Sequence, residues 1–121
     1  MSKRILIADD SGSVRDVLRT FLERAPDLEV CGEAADGLQA LKEVERCNPD
    51  LVVLDLSMPK MNGAEVASIL KKRMPNLKII LFTMYSQNVG ASLTAALGVD
   101  VVLSKPNGMA QLVQSVSSLL A

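Results

Sequence analysis

Four apolar residues in unbroken succession, Leu51-Val52-Val53-Leu54, run straight into a carboxylate at Asp55. A run with no polar alternation suits a strand covered on both faces of a parallel sheet, where neither side of the pleat meets water. Asp55 then stands where that strand leaves the core. In open α/β sheets the carboxyl ends of the strands form the edge at which ligands bind.

On either side of this run the chain alternates between two periods. Arg4 to Ala8 reads as a buried strand ending in Asp9-Asp10-Ser11, after which Val14, Val17, Leu18, Phe21 and Leu22 recur at helical spacing and stop near Pro26. Leu28 to Glu33 is a second strand. Asp36-Gly37 marks a turn, and Leu38, Leu41 and Val44 stripe a second helix ending before Asn48-Pro49. Beyond Gly63, Val66, Ile69 and Leu70 stripe a third helix. Leu77 to Phe82 is a fourth strand closed by Thr83, and Val89, Leu93 and Leu97 stripe a fourth helix up to Gly98. Val99 to Leu103 is a fifth strand leading to Ser104-Lys105-Pro106, and Leu112, Val113, Val116 and Leu119 stripe a fifth helix.

Five βα units joined by connections of a few residues predict a three-layer α/β fold: a doubly wound parallel sheet with helices on both faces and right-handed crossovers. With 121 residues, 49% of them hydrophobic, the chain suffices for a core, and with no repeat or linker the expectation is one domain over 1–121. A formal net charge of -1 leaves no basic footprint for nucleic acid. After Lys3-Arg4 only four apolar residues precede Asp9-Asp10, too few for a signal peptide or membrane span, so the cytoplasm is expected. Cys31 and Cys47 form no CxxC pair and read as reduced, packed thiols. The absence of histidine excludes Ser-His-Asp and Cys-His nucleophile activation and His-ligated zinc.

Because parallel strands share a C-terminal edge, Asp9 and Asp10, Asp55, Thr83 and Lys105 fall together there. Alone, Asp9 or Asp10 reads as a cap for the helix beginning near Gly12. Together the residues make three carboxylates, one hydroxyl and one ammonium. Acids this close repel one another unless a cation intervenes, and hard oxygen ligands with room for water select Mg²⁺. A carboxylate is a nucleophile toward phosphorus, Lys105 neutralises charge on a phosphoryl group, and the Thr83 hydroxyl donates to one of its oxygens. With no histidine in the chain the phosphoryl group comes from another molecule.

Paired Asp9-Asp10, Asp55, the Met58-Pro59 and Gly63 loop, Thr83 and Lys105-Pro106, in this order over essentially the whole chain, resemble the receiver domain of two-component response regulators. The resemblance implies the flavodoxin-like strand order 2-1-3-4-5. It implies that Asp55 is the phosphoacceptor, that Asp10, Asp55 and the Ser57 carbonyl bind Mg²⁺ directly with Asp9 acting through water, that Thr83 is the switch hydroxyl, that Lys105 contacts the phosphoryl group and that the Lys105–Pro106 bond is cis. It also implies a sensor histidine kinase as donor, and no enzymatic activity beyond self-phosphorylation and autodephosphorylation at Asp55.

Two positions depart from the family pattern. Val102 stands where many receivers carry Tyr or Phe, and Met84 follows Thr83 where small residues are common. Thr83-Met84-Tyr85-Ser86 with Val102 resembles receivers that carry a helix-turn-helix DNA-binding domain, yet the sequence stops at Ala121 after the fifth helix, so a stand-alone or excised receiver is expected. Phosphorylation would shift a pre-existing equilibrium and alter the face of the fourth helix, fifth strand and fifth helix, where Ala91, Ala95, Ala96, Val99 and Val101 either serve an output partner or homodimer or pack inward. Two rival classes share the architecture. A flavodoxin-type binding module wants aromatics around its ring, and the chain has only Phe21, Phe82 and Tyr85. A Mg²⁺-dependent aspartyl-phosphate phosphatase wants Asp-x-Asp, where this chain has Asp55-Leu56-Ser57.

Overall fold

The apolar run at 51–54 becomes the middle strand of five. The structure, a computed structural model, describes residues 2–83, 98–105 and 109–121. Strands β1 (Lys3–Ala8), β2 (Leu28–Ala34), β3 (Leu51–Leu54), β4 (Lys78–Thr83) and β5 (Val101–Ser104) form one sheet in the order β2-β1-β3-β4-β5, and every neighbouring pair is parallel. Helices α1 (Gly12–Glu23), α2 (Gly37–Cys47), α3 (Gly63–Arg73) and α4 (Met109–Leu119) cover it. The fold is the doubly wound parallel sheet expected from the alternation of periods, in the flavodoxin-like strand order that the resemblance implies. The fourth predicted helix, with Ala91, Ala95 and Ala96, and Met84, Tyr85 and Pro106 with its expected cis bond, lie outside the described residues.

Successive strand residues point to opposite faces, so the continuous runs supply two cores at once. On one face Leu6, Val52, Leu54, Ile79 and Leu81 meet Ala40 and Val44 of α2 and Val66 and Leu70 of α3. On the other, Ile5, Ile7, Leu51, Val53, Ile80 and Phe82 meet Leu18 and Leu22 of α1 and Leu112 and Val116 of α4. Of the two readings left open for Val99, inward packing holds: it is buried in the first of these cores, and Val102 packs partly against the same one. Val101 packs partly against the second core.

Two stripe residues point away from the core. Leu38 and Val17 are 46% and 44% exposed. In α2 the small Ala40 and Cys47 take the inner positions with Val44, and at about 100° per residue that orientation turns Leu38 outward. Counting only large apolar side chains therefore misplaces the face. In α1, Leu18 and Leu22 take the inner positions in the same way.

The edge β1–β2 pairing steps from Ile5↔Val30 to Leu6↔Gly32, which leaves Cys31 as an extra residue on β2. At the other edge β5 begins two residues later than the apolar run predicts, because Asp100 interrupts the ladder. Its N–H donates to the Ile79 carbonyl at 2.9 Å, while its carboxylate accepts from the Ile79 N–H at 2.8 Å and from Lys71 Nζ at 3.3 Å. Lys71 also donates to the Leu77 carbonyl at 2.7 Å, so one carboxylate joins β4, β5 and α3. Asp100→Ala leaves the buried Ile79 N–H without its acceptor and removes one of two acceptors from Lys71, and is expected to cost about 1–3 kcal/mol. A lower urea midpoint at unchanged m-value is the expected result, and an unshifted midpoint would contradict this account of the edge.

Candidate functional site

The register of the inner strands brings the polar residues together. Ala8 pairs with Leu54, so the residues that follow, Asp9 and Asp55, leave the sheet side by side, and the ladder continues one step further through Asp55 N–H to the Ala8 carbonyl at 2.8 Å. Thr83 ends β4 opposite Ser104, and Lys105 follows Ser104. Asp9, Asp55 and Thr83 are buried and Asp10 is exposed. Asp9, Asp10 and Asp55 each offer a carboxylate oxygen within 4.8 Å of the other two. Beside them opens a cleft of about 650 Å³ lined by Asp10, Ser57, Met58, Pro59 and Asn62 among others.

Lys105 Nζ lies between the two buried acids, 2.8 Å from Asp9 Oδ2 and 3.3 Å from Asp55 Oδ1. Burial works against its charge, but the hydrogen bond to Asp9 and the field of both carboxylates prevail and hold its pKa above the usual lysine value. Asp55 is pushed above the usual carboxylate range by burial first and by the Asp9 charge second. Lys105 and the Ser57 N–H, which donates to Asp55 Oδ1 at 3.3 Å, offset only part of that. Three acids against one ammonium leave negative charge unneutralised. A set of hard oxygen donors beside a cleft open to water fits Mg²⁺ better than a softer ion.

The loops around the acids are fixed by side-chain caps. Ser11, rather than either aspartate, caps α1 by accepting from the Val14 N–H at 3.3 Å, and Asp9 Oδ1 accepts from the Ser11 N–H at 2.9 Å. Arg15, which the sequence reading passed over, donates to the Asp9 carbonyl through Nη1 and to Glu33 through Nε at 2.9 Å, while Arg19 Nε also reaches Glu33, at 3.0 Å. Asp36 and Asn62 cap α2 and α3 by accepting from Gln39 and Glu65 N–H at 2.8 and 2.9 Å. Both caps were legible as Asp-x-x-Gln and Asn-x-x-Glu.

Two glycines press on the segment that carries Asp55. A Cβ on Gly63 would stand 2.2 Å from the Asp55 carbonyl oxygen, and one on Gly37 would stand 2.0 Å from the Met61 carbonyl oxygen. Between them Lys60, with φ 69°, is the centre of a γ-turn closed by the Met61 N–H on the Pro59 carbonyl at 2.7 Å. Lys60 Nζ also lies 3.6 Å from Asp36.

The family model described as the response regulator receiver domain matches residues 5–117. A protein-glutamate methylesterase/protein-glutamine glutaminase of Pyrococcus horikoshii is 39% identical over 92 residues, 76% of this chain and 25% of that protein. The transcriptional regulatory protein YhcZ of Bacillus subtilis is 47% identical over 83 residues, 69% of this chain and 39% of that protein. The chain thus spans well under half of the curated relatives it matches. A LuxR-family two-component response regulator from Aurantimonas sp. SI85-9A1 superposes with a TM-score of 0.91 at 31% identity, covering 99% of this chain and 86% of that one.

Two outcomes follow from the packing and charge at Asp55. A raised carboxylate pKa makes the charged form a cost: stability is greatest below the unfolded-state pKa and falls as pH rises through the higher folded-state value. Asp55→Asn keeps the acceptor for Ser57 and leaves Lys105 paired with Asp9. In EDTA at neutral pH it should therefore melt higher, by about 1 kcal/mol, with the gap closing as pH falls through the carboxylate range. A variant melting lower at neutral pH would refute this. Gly63→Ala forces the Asp55 backbone aside and should cost about 1–3 kcal/mol, read as a lower thermal midpoint.

Proposed function

This chain belongs to the response regulator receiver domain family, and from that premise we propose that Asp55 is its phosphoryl acceptor. The observation that supports this most directly is the Lys105 ammonium held 3.3 Å from Asp55 Oδ1 by its shorter contact to Asp9. A carboxylate oxygen of Asp55 attacks the donor's phosphorus; the new O–P bond forms as the bond to the leaving group breaks, giving an acyl phosphate. Lys105, anchored by Asp9, keeps its positive charge at the position where the incoming oxygens gather negative charge. Thr83, at the end of the strand between those of Asp55 and Lys105, supplies a hydroxyl to one of those oxygens. Asp10, Asp55 and the Ser57 carbonyl, with Asp9 through water, would hold Mg²⁺, which when bound neutralises charge on the transferred group.

Residues 1–121 act as one receiver domain in this reading. The donor is a sensor histidine kinase or a small acyl phosphate, which departs without its phosphoryl group, and no nucleic acid is bound by this chain. Its output is a change in contacts with an output domain, a protein partner or a second copy along β5, α4 and the segment between β4 and β5. Among the described residues no helix is long and apolar enough to cross a membrane, and the reading places the domain in the cytoplasm.

Intact mass after incubation with acetyl phosphate and Mg²⁺ tests the assignment. One phosphoryl group, about 80 Da, is expected on the wild type, none on Asp55→Ala and none after EDTA. A labelled Asp55→Ala protein would mean that another residue accepts the group.

A further inference from the structure

Cys31 and Cys47 come from different elements, yet they meet on the same face of the sheet. Cys31 is the extra residue of the β2 bulge, and a bulge re-aims the residue it inserts. Its carbonyl accepts two side-chain hydrogen bonds from the end of α2: Cys47 Sγ donates at 2.9 Å and Arg46 Nη2 at 3.1 Å. Arg46 Nη2 also lies 3.2 Å from the Cys47 sulfur. A Cβ on the adjacent Gly32 would come within 2.8 Å of that sulfur, so the missing side chain is what admits Cys47 against the strand. Burial, and after it the neighbouring Cys47 thiol, push Cys31 up to about 12, as two thiols in each other's immediate surroundings require. Cys47 is buried and Cys31 is partly open to solvent.

We propose that Cys31 and Cys47 form a dithiol site that closes reversibly to an intrachain disulfide when a small disulfide oxidant, such as oxidised glutathione, reaches Cys31. The Cys31 sulfur attacks one sulfur of glutathione disulfide, forming a mixed disulfide and releasing one glutathione thiol. Cys47 then attacks the Cys31 sulfur and displaces the second glutathione. Both cysteines are oxidised by one electron each, glutathione disulfide is reduced to two thiols, and the two cysteine protons end on those thiols. A thiol held as high as Cys31 supplies little thiolate, so closure is slow. The covalent link would join the β2 bulge to the last turn of α2. The acyl-phosphate chemistry at the opposite, C-terminal edge of the sheet is not needed for it.

The test is prolonged exposure of the folded, reduced protein to oxidised glutathione, followed by acid quench, denaturation and alkylation. The expected product is a monomer lighter by about 2 Da with no alkylated thiol, whereas the unexposed protein takes two alkyl groups. Its proteolytic fragments should be joined through Cys31 and Cys47, and dithiothreitol should restore both thiols. Cys31→Ser, chosen because that position is only partly buried, should show no such mass loss. A glutathione adduct as the final product, a chain-to-chain dimer, or two free thiols in protein that stays folded would each overturn the proposal.

Discussion

The Lys105 ammonium is the interaction on which the edge of this molecule depends. Asp9 and Asp55 are buried side by side, and without a cation between them their mutual repulsion would add to the cost of taking both out of water. Lys105 answers both acids from β5, reaching past β4, which separates its strand from that of Asp55. One side chain therefore ties the ends of β1, β3 and β5 together. That arrangement also explains an asymmetry between the paired aspartates: Asp9 is committed to Lys105 and to the Ser11 N–H, while Asp10 faces the open cleft.

The backbone around the acids is held by a different kind of contact. Ser11, Asp36 and Asn62 satisfy the first turns of three helices, and Gly63 and Gly37 let two helix starts touch the β3–α3 segment without a side chain between. Arg15 adds a tie from α1 to the Asp9 carbonyl, balanced by Glu33. Electrostatics sets what the site attracts, and these contacts set where it sits.

Much of this could be read from the sequence because the governing patterns are local. Unbroken apolar runs specify strands covered on two sides, and a parallel sheet gathers whatever ends those runs on one edge, so the positions of Asp9, Asp55, Thr83 and Lys105 needed no knowledge of contacts. What escaped depends on packing between distant segments. Leu38 was assigned inward because leucine outweighs alanine in an apolar stripe, whereas the close fit of α2 favours Ala40 and Cys47. Val99, open between a partner contact and inward packing on sequence alone, is decided for the core only by its place beside the sheet. The start of β5 moved because a side chain, Asp100, takes the place of a backbone acceptor. The bulge that turns Cys31 toward α2 leaves no mark in composition or period, since it appears only when β2 is laid beside β1.

The contact between Gly63 and the Asp55 carbonyl carries a mechanical consequence. Helix α3 begins against the backbone of the very residue that leaves β3, and the Gly63 N–H is bonded to the Leu56 carbonyl at 2.9 Å. The helix cannot slide along its axis without dragging Asp55, so the two travel as a single stiff lever.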